Sequence, residues 1–210
     1  MNRSPSFGRT VLVVVALLAG FAAQARATTI TVQSVTASSP SVGNTFDVTL
    51  TNPGPSAITV GAFSFEVTTS DTHIAFTKAT TATTTAPYIF DGLSLFGPVI
   101  NTSVPGQTLD ASDVFSVVGS GTTLGAGVTL GLGHVFFDIT AGDTSGSKTL
   151  MLTAFPATSL SGPTGTNLGF SPVNGQITVQ AQTVPEPASL LLLGTGLIGA
   201  VGRRGRRRQT

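Results

Sequence analysis

Apolar residues are distributed along the 210-residue chain in three regimes. Val11 to Ala23 forms one continuous apolar run near the start, and Ala188 to Val201 forms another near the end. Between them, from Thr29 onward, apolar residues recur at every second position in short runs, the period of strands with one buried face. The runs are Ile30/Val32/Val35, Phe46/Val48/Leu50, Phe63/Phe65/Val67, Ile74/Phe76, Val114 to Val118, Val128 to Leu132, Val135/Phe137/Ile139, Leu150/Leu152 and Ile177/Val179. Weaker runs lie at Tyr88 to Phe90 and Val99 to Ile100. Ser39 to Asn44 and Asn174-Gly175 read as turns, and Pro53-Gly54-Pro55 as a break. About nine to eleven strands with no helical stretch between them predict an all-β fold, an antiparallel jelly-roll or Ig-like sandwich. No self-similarity at solenoid or propeller periods is visible.

The first apolar run has the flanks of a secretory signal. Arg3 and Arg9 precede it, and Ala25-Arg26-Ala27 follows as a small-x-small cleavage site, so signal peptidase is expected to cut before Thr28 after Sec-type export. Thirteen residues of helix span roughly 20 Å against a hydrocarbon core of about 30 Å, too little for a permanent anchor. The second run is preceded by Pro185-Glu186-Pro187 and followed by Arg203, Arg204, Arg206, Arg207 and Arg208. The prolines hold the chain extended before a helix can begin, and Glu186 complements the positive end of that helix. With the body exported, the arginines act as a cytoplasmic basic stop. At 14 residues, roughly 21 Å, the apolar stretch spans only with snorkelling arginines or bilayer thinning, which suits a transient transmembrane helix.

This three-part tail resembles the PEP-CTERM sorting signal of Gram-negative bacteria, also labelled an ice-binding protein C-terminal domain. The resemblance covers about the last 26 residues. It implies recognition by the membrane protease exosortase, with Pro185, Glu186 and Pro187 as the sorting motif, and cleavage nearby. It also implies an inner-membrane-anchored precursor whose product reaches the outer envelope, cell surface or extracellular matrix, with an expected association with exopolysaccharide or biofilm. No regular Thr-x-Thr repeat supports ice binding by the body. Gly194-Thr195-Gly196-Leu197-Ile198-Gly199 matches a dinucleotide fingerprint, but no strand precedes it and no acid follows to hold a ribose. The expected organisation is therefore a signal peptide over 1–27, a sandwich over 28–182 and a sorting signal over 183–210.

Charge changes the picture of the body. Between Thr28 and Val184 only Lys78 and Lys148 oppose eight acids, a net of −6, although the whole chain carries +1. Nucleic acid is not an expected partner, since two lysines make no basic stripe with which to neutralise phosphates. The absence of cysteine excludes disulfides, thiolate metal sites and cysteine nucleophiles.

Candidate chemistry in the body is sparse. His73 and His134 are the only histidines, Asp71-x-His73 reads as a surface pair, and His134, on the opposite pleat from Val135 and Phe137, is expected to be a solvent-facing or edge residue. Asp110/Asp113 and Asp138/Asp143 read as turn-forming acids. No hydrolase elbow, zincin or calcium-loop pattern occurs, so no catalytic residue, metal or cofactor is expected. The threonine-rich stretch from Thr68 to Thr85 reads as a solvated edge or loop, or as a glycosylated or polysaccharide-contacting segment. Tyr88 is the one tyrosine available to stack on sugars. Three segments, Ser41–Val48, Gly61–Val67 and Leu132–Ile139, resemble the cohesin and carbohydrate-binding type of sandwich over Thr29 to Gln180. A structural or adhesive body is the leading expectation, with a carbohydrate-binding module and a secreted hydrolase as alternatives.

Overall fold

The computed structural model describes residues 27–96, 100–104, 106–142 and 145–181. The expected signal helix, the apolar tail helix, and the site residues Ala25, Pro185, Glu186, Pro187, Arg203, Arg204, Arg206, Arg207 and Arg208 lie outside the described residues. Fourteen strands are present among the described residues. They are β1 (Thr28–Val32), β2 (Val35–Ser39), β3 (Ser41–Thr51), β4 (Ile58–Val60), β5 (Ala62–Thr68), β6 (Ile74–Thr80) and β7 (Asn101–Ser103). The rest are β8 (Thr108–Val114), β9 (Thr122–Leu124), β10 (Thr129–Ile139), β11 (Gly146–Leu152), β12 (Ser159–Ser161), β13 (Phe170–Val173) and β14 (Gly175–Ala181).

Two sheets form the sandwich. One has the order β13-β1-β3-β10-β6, and the other β2-β14-β11-β5-β8-β7 with β12 also on β5; β4 and β9 make a separate ribbon. Alternation dictates which side chains meet between them. Phe46, Val48 and Leu50 of β3 and Val135, Phe137 and Ile139 of β10 point inward from the first sheet, and all are buried. Phe63, Phe65 and Val67 of β5, Leu109 of β8 and Ile177 and Val179 of β14 oppose them from the second. Phenylalanine supplies the largest pieces of this core: Phe46 sits 5.8 Å from Phe137 and 6.2 Å, edge-on, from Phe76. Such offset and edge-to-face pairs add to the burial of each ring.

The strand count exceeds the expected nine to eleven because the extra elements are too short to show a period. β4, β7, β9 and β12 have three residues each. Conversely, the two runs Val128–Leu132 and Val135–Ile139 are one strand, β10, broken by a register shift between Gly131 and Gly133. The run Val114–Val118 belongs to strand only at its first residue.

The two ends of the body close the fold together. β1 pairs in parallel with β13, and β2 pairs in parallel with β14, so both chain segments cross from one sheet to the other side by side. Gly175 permits that crossing: a Cβ there would lie 2.7 Å from the Val32 carbonyl oxygen and 2.8 Å from that of Gln33. Asn174-Gly175 is therefore a sheet switch, not a hairpin turn. Likewise Ser41 to Asn44 is the start of β3, not a turn. Among the described residues strand pairing runs from Thr28, opposite Phe170, to Ala181, opposite Ser39. The antiparallel chain of pairings from β14 through β11 to β5 puts Ala181 at the Thr68 end of the sandwich, opposite the end where β8 finishes at Val114.

Candidate functional site

The strongest polar constellation is buried on the outer face of the first sheet. Asp47 lies between Phe46 and Val48 on β3, so its side chain must point away from the core, yet it is fully buried. His134 sits directly opposite on β10, with Nδ1 2.6 Å from Asp47 Oδ1. The threonine-rich loop after β6 folds over the pair. The backbone N–H groups of Thr84 and Thr85 donate to Asp47 Oδ2 at 2.8 and 2.6 Å, and the Thr84 hydroxyl donates at 3.0 Å. Burial pushes the Asp47 carboxyl up, but the hydrogen bonds from His134, Thr85 and Thr84 outweigh it and hold the group below its ordinary range.

Glycine makes room for the loop. A Cβ on Gly131 would collide with the Thr83 side chain at 2.4 Å, and the Gly131 backbone both donates to Pro87 and accepts from Ile89. His134 also packs edge-on against Phe136 at 5.0 Å, and the Lys78 ammonium lies 4.5 Å above that ring. His134 is thus a buried partner of Asp47, contrary to the solvent-facing position expected from alternation alone. The outer face of this sheet is covered, which a period of two does not reveal. With both its oxygens engaged by the loop and His134, Asp47 works as a clasp that fastens a loop to a sheet.

The other acids also differ from the turn-forming role expected of them. Asp110 and Asp113 lie within β8. Asp113 is fully buried and accepts the Tyr88 hydroxyl at 2.5 Å and the Val114 N–H at 2.7 Å. Burial and the facing Asp113 push the Tyr88 phenol far above its ordinary range. Tyr88 therefore belongs to the core, stacked edge-on against Phe63 and Phe90, and offers no ring to a sugar. Asp110 stands directly across from Glu66 on β5; burial first, and the facing Glu66 second, raise its carboxyl. Asp138, on β10, accepts the Gly43 N–H at 2.7 Å, and Asp143 lies outside the described residues. The expected surface pair is present: His73 Nδ1 lies 3.1 Å from Asp71, and Lys148 Nζ lies 2.6 Å from its second oxygen. That lysine first, with His73, outweighs the opposing effect of burial and holds the Asp71 carboxyl down to about 2.

Among the described residues no three histidine or acidic side chains gather as a metal site would require. The Asp47 clasp escaped the sequence because its parts come from residues 47, 84, 85 and 134. The one signal was an acid at a polar position of an alternating strand run, between Phe46 and Val48.

Comparison with known families matches residues 183–208 to the PEP-CTERM protein-sorting motif. Comparison with curated protein sequences found no match. Among solved structures the body is similar to a non-cellulosomal cohesin from Archaeoglobus fulgidus, with TM-score 0.52 and 15% identity over 75% of this chain and 94% of that one. It is also similar to the seventh ScaB type I cohesin of Pseudobacteroides cellulosolvens, with TM-score 0.56 and 13% identity over 77% and 96%. The OlpA cohesin of Clostridium thermocellum, solved with a dockerin, gives TM-score 0.55 and 11% identity over 74% and 100%. At these identities the likeness is one of fold. The chain joins a cohesin-like β-sandwich to a C-terminal PEP-CTERM protein-sorting motif.

Proposed function

We propose that the chain is an exported precursor whose sandwich is released or transferred at the cell envelope by exosortase, and whose mature form is a non-enzymatic contact module. Signal peptidase would remove residues 1–27 after Sec-type export. The tail would hold the precursor in the inner membrane until exosortase cuts near Pro185-Glu186-Pro187. The observation that carries this reading is the PEP-CTERM protein-sorting motif over 183–208, which follows the sandwich in the chain. Among the described residues strand pairing begins at Thr28, the residue expected after signal cleavage, and every described pair precedes the sorting motif at 183–208. Both processing events would therefore leave every described strand pair intact. The product would lose the terminal arginines and keep a body with a net charge of −6.

The contact role rests on what the body contains. Its buried acids are engaged in holding loops and rings, and cohesin neighbours include one solved bound to a dockerin. We read the mature sandwich as a structural or adhesive component of the cell surface or extracellular matrix, associated with exopolysaccharide or biofilm. Substitution Glu186→Ala in the native host, followed by immunoblotting of membrane, surface and medium fractions, tests the sorting step. The expected result is a larger species retained in the membrane; unchanged size and location would overturn it.

A further inference from the structure

The loop between β11 and β12, Thr153 to Thr158, stands as a ridge with a groove on each side. On one side lies a groove of about 270 Å³ whose lining includes Phe155, Asn167, Phe170 and Pro172. On the other lies a groove of about 170 Å³ in the outer face of the second sheet, bounded by Ala157 and lined by Ser103, Asp110 and Ser112. Phe155 is 62% exposed, more than Phe96 at 47%, in a chain that buries Phe46, Phe63, Phe65, Phe76, Phe90 and Phe137. Asn167 is held at the groove by the hairpin that pairs Leu160 with Leu168, and its side-chain amide makes no hydrogen bond within the described residues.

We propose that this ridge and its two grooves form a binding track for a neutral polysaccharide, with Phe155 stacking on a sugar face and Asn167, Asp110 and Ser112 bonding its hydroxyls. Three observations select this occupant. No lysine or arginine lines either groove, so nothing there attracts an anionic polymer. The aromatic groove borders edge strand β13, where Pro172 lacks an N–H and so disfavours addition of a peptide strand. Two grooves sharing one ridge suit an extended chain, with one apolar platform and a few convergent polar groups.

The inference deepens the contact role proposed above, and it fails separately from sorting, because it is read on purified protein and not on processing. Affinity gel electrophoresis of the full chain in detergent would use gels containing hydroxyethylcellulose, galactomannan, dextran or laminarin, with alginate as the anionic polymer. At least one neutral polymer is expected to retard the protein. Phe155→Ala should weaken that retardation about tenfold, the order of one aromatic contact. Phe155→Trp should preserve it, Asn167→Ala should weaken it, and Tyr88→Phe should leave it unchanged, with circular dichroism confirming that each variant is folded. Absence of retardation by every neutral polymer, or equal retardation of the Phe155→Ala, Asn167→Ala and unsubstituted chains, would overturn the proposal. So would retardation confined to alginate.

Discussion

Substituting Asp47 removes the fastening of the threonine-rich loop and tests whether the buried clasp stabilises the fold. In Asp47→Ala, the His134 ring nitrogen, two backbone N–H groups and the Thr84 hydroxyl all lose their acceptor. A hydrogen bond to a charged group contributes about 1.5–3 kcal/mol, and removing one member of a buried polar pair costs about 3–5 kcal/mol. Relaxation of an exposed loop into water recovers part of this, so about 3 kcal/mol is expected for Asp47→Ala. Asp47→Asn, which keeps one carbonyl oxygen, should lose about half as much. For a domain of this size about 3 kcal/mol corresponds to a fall in Tm of roughly 10 °C. Urea unfolding followed by far-ultraviolet circular dichroism measures the first quantity. Limited proteolysis with proteinase K measures the second consequence, faster cutting between Thr81 and Pro87. A loss below about 1 kcal/mol together with an unchanged cleavage pattern would refute the clasp.

Three further predictions follow from the same geometry. Acid should destabilise the protein through Asp71, whose carboxyl is held down to about 2 from an ordinary 3.8. A depressed folded value means the contribution is complete above the unfolded value and fades as pH falls from about 4 towards 2; after solvent screening it amounts to about 1 kcal/mol, and Lys148→Met should abolish most of it in pH-dependent urea titrations. Tyr88→Phe leaves buried Asp113 with the Val114 N–H as its remaining hydrogen bond and should cost about 1–3 kcal/mol in the same unfolding assay, although the residue touches no outer surface. Gly175→Ala drives a methyl into the Val32 and Gln33 carbonyls where the chain changes sheets, and should destabilise by about 1–3 kcal/mol; a neutral effect would contradict the tight crossing.

How much of this was legible depended on whether the information was local. The alternation in Phe46/Val48/Leu50 and Val135/Phe137/Ile139 marked two central strands, because the side-chain period is intrinsic to the backbone. The same alternation misplaced His134 and left Asp47 unremarked, because it assigns a face but not what covers that face. Asp113 looked like a turn residue by its type, and Tyr88 like a surface ring by its polarity. Their mutual hydrogen bond satisfies both inside the core, and its partners stand 25 residues apart. Phe155 was hidden among thirteen phenylalanines, and only burial separates it from those of the core. The sorting motif was legible because it is a pattern of consecutive residues, 183–208.

The proposed removal of both terminal segments from the sandwich is open to direct measurement. Intact-mass spectrometry of the protein recovered from the surface and medium of the native host tests it most directly. The account predicts a polypeptide that begins at Thr28 and ends near Pro185, without the apolar stretch and its arginines. A product that still carries Arg203 to Thr210 would contradict it.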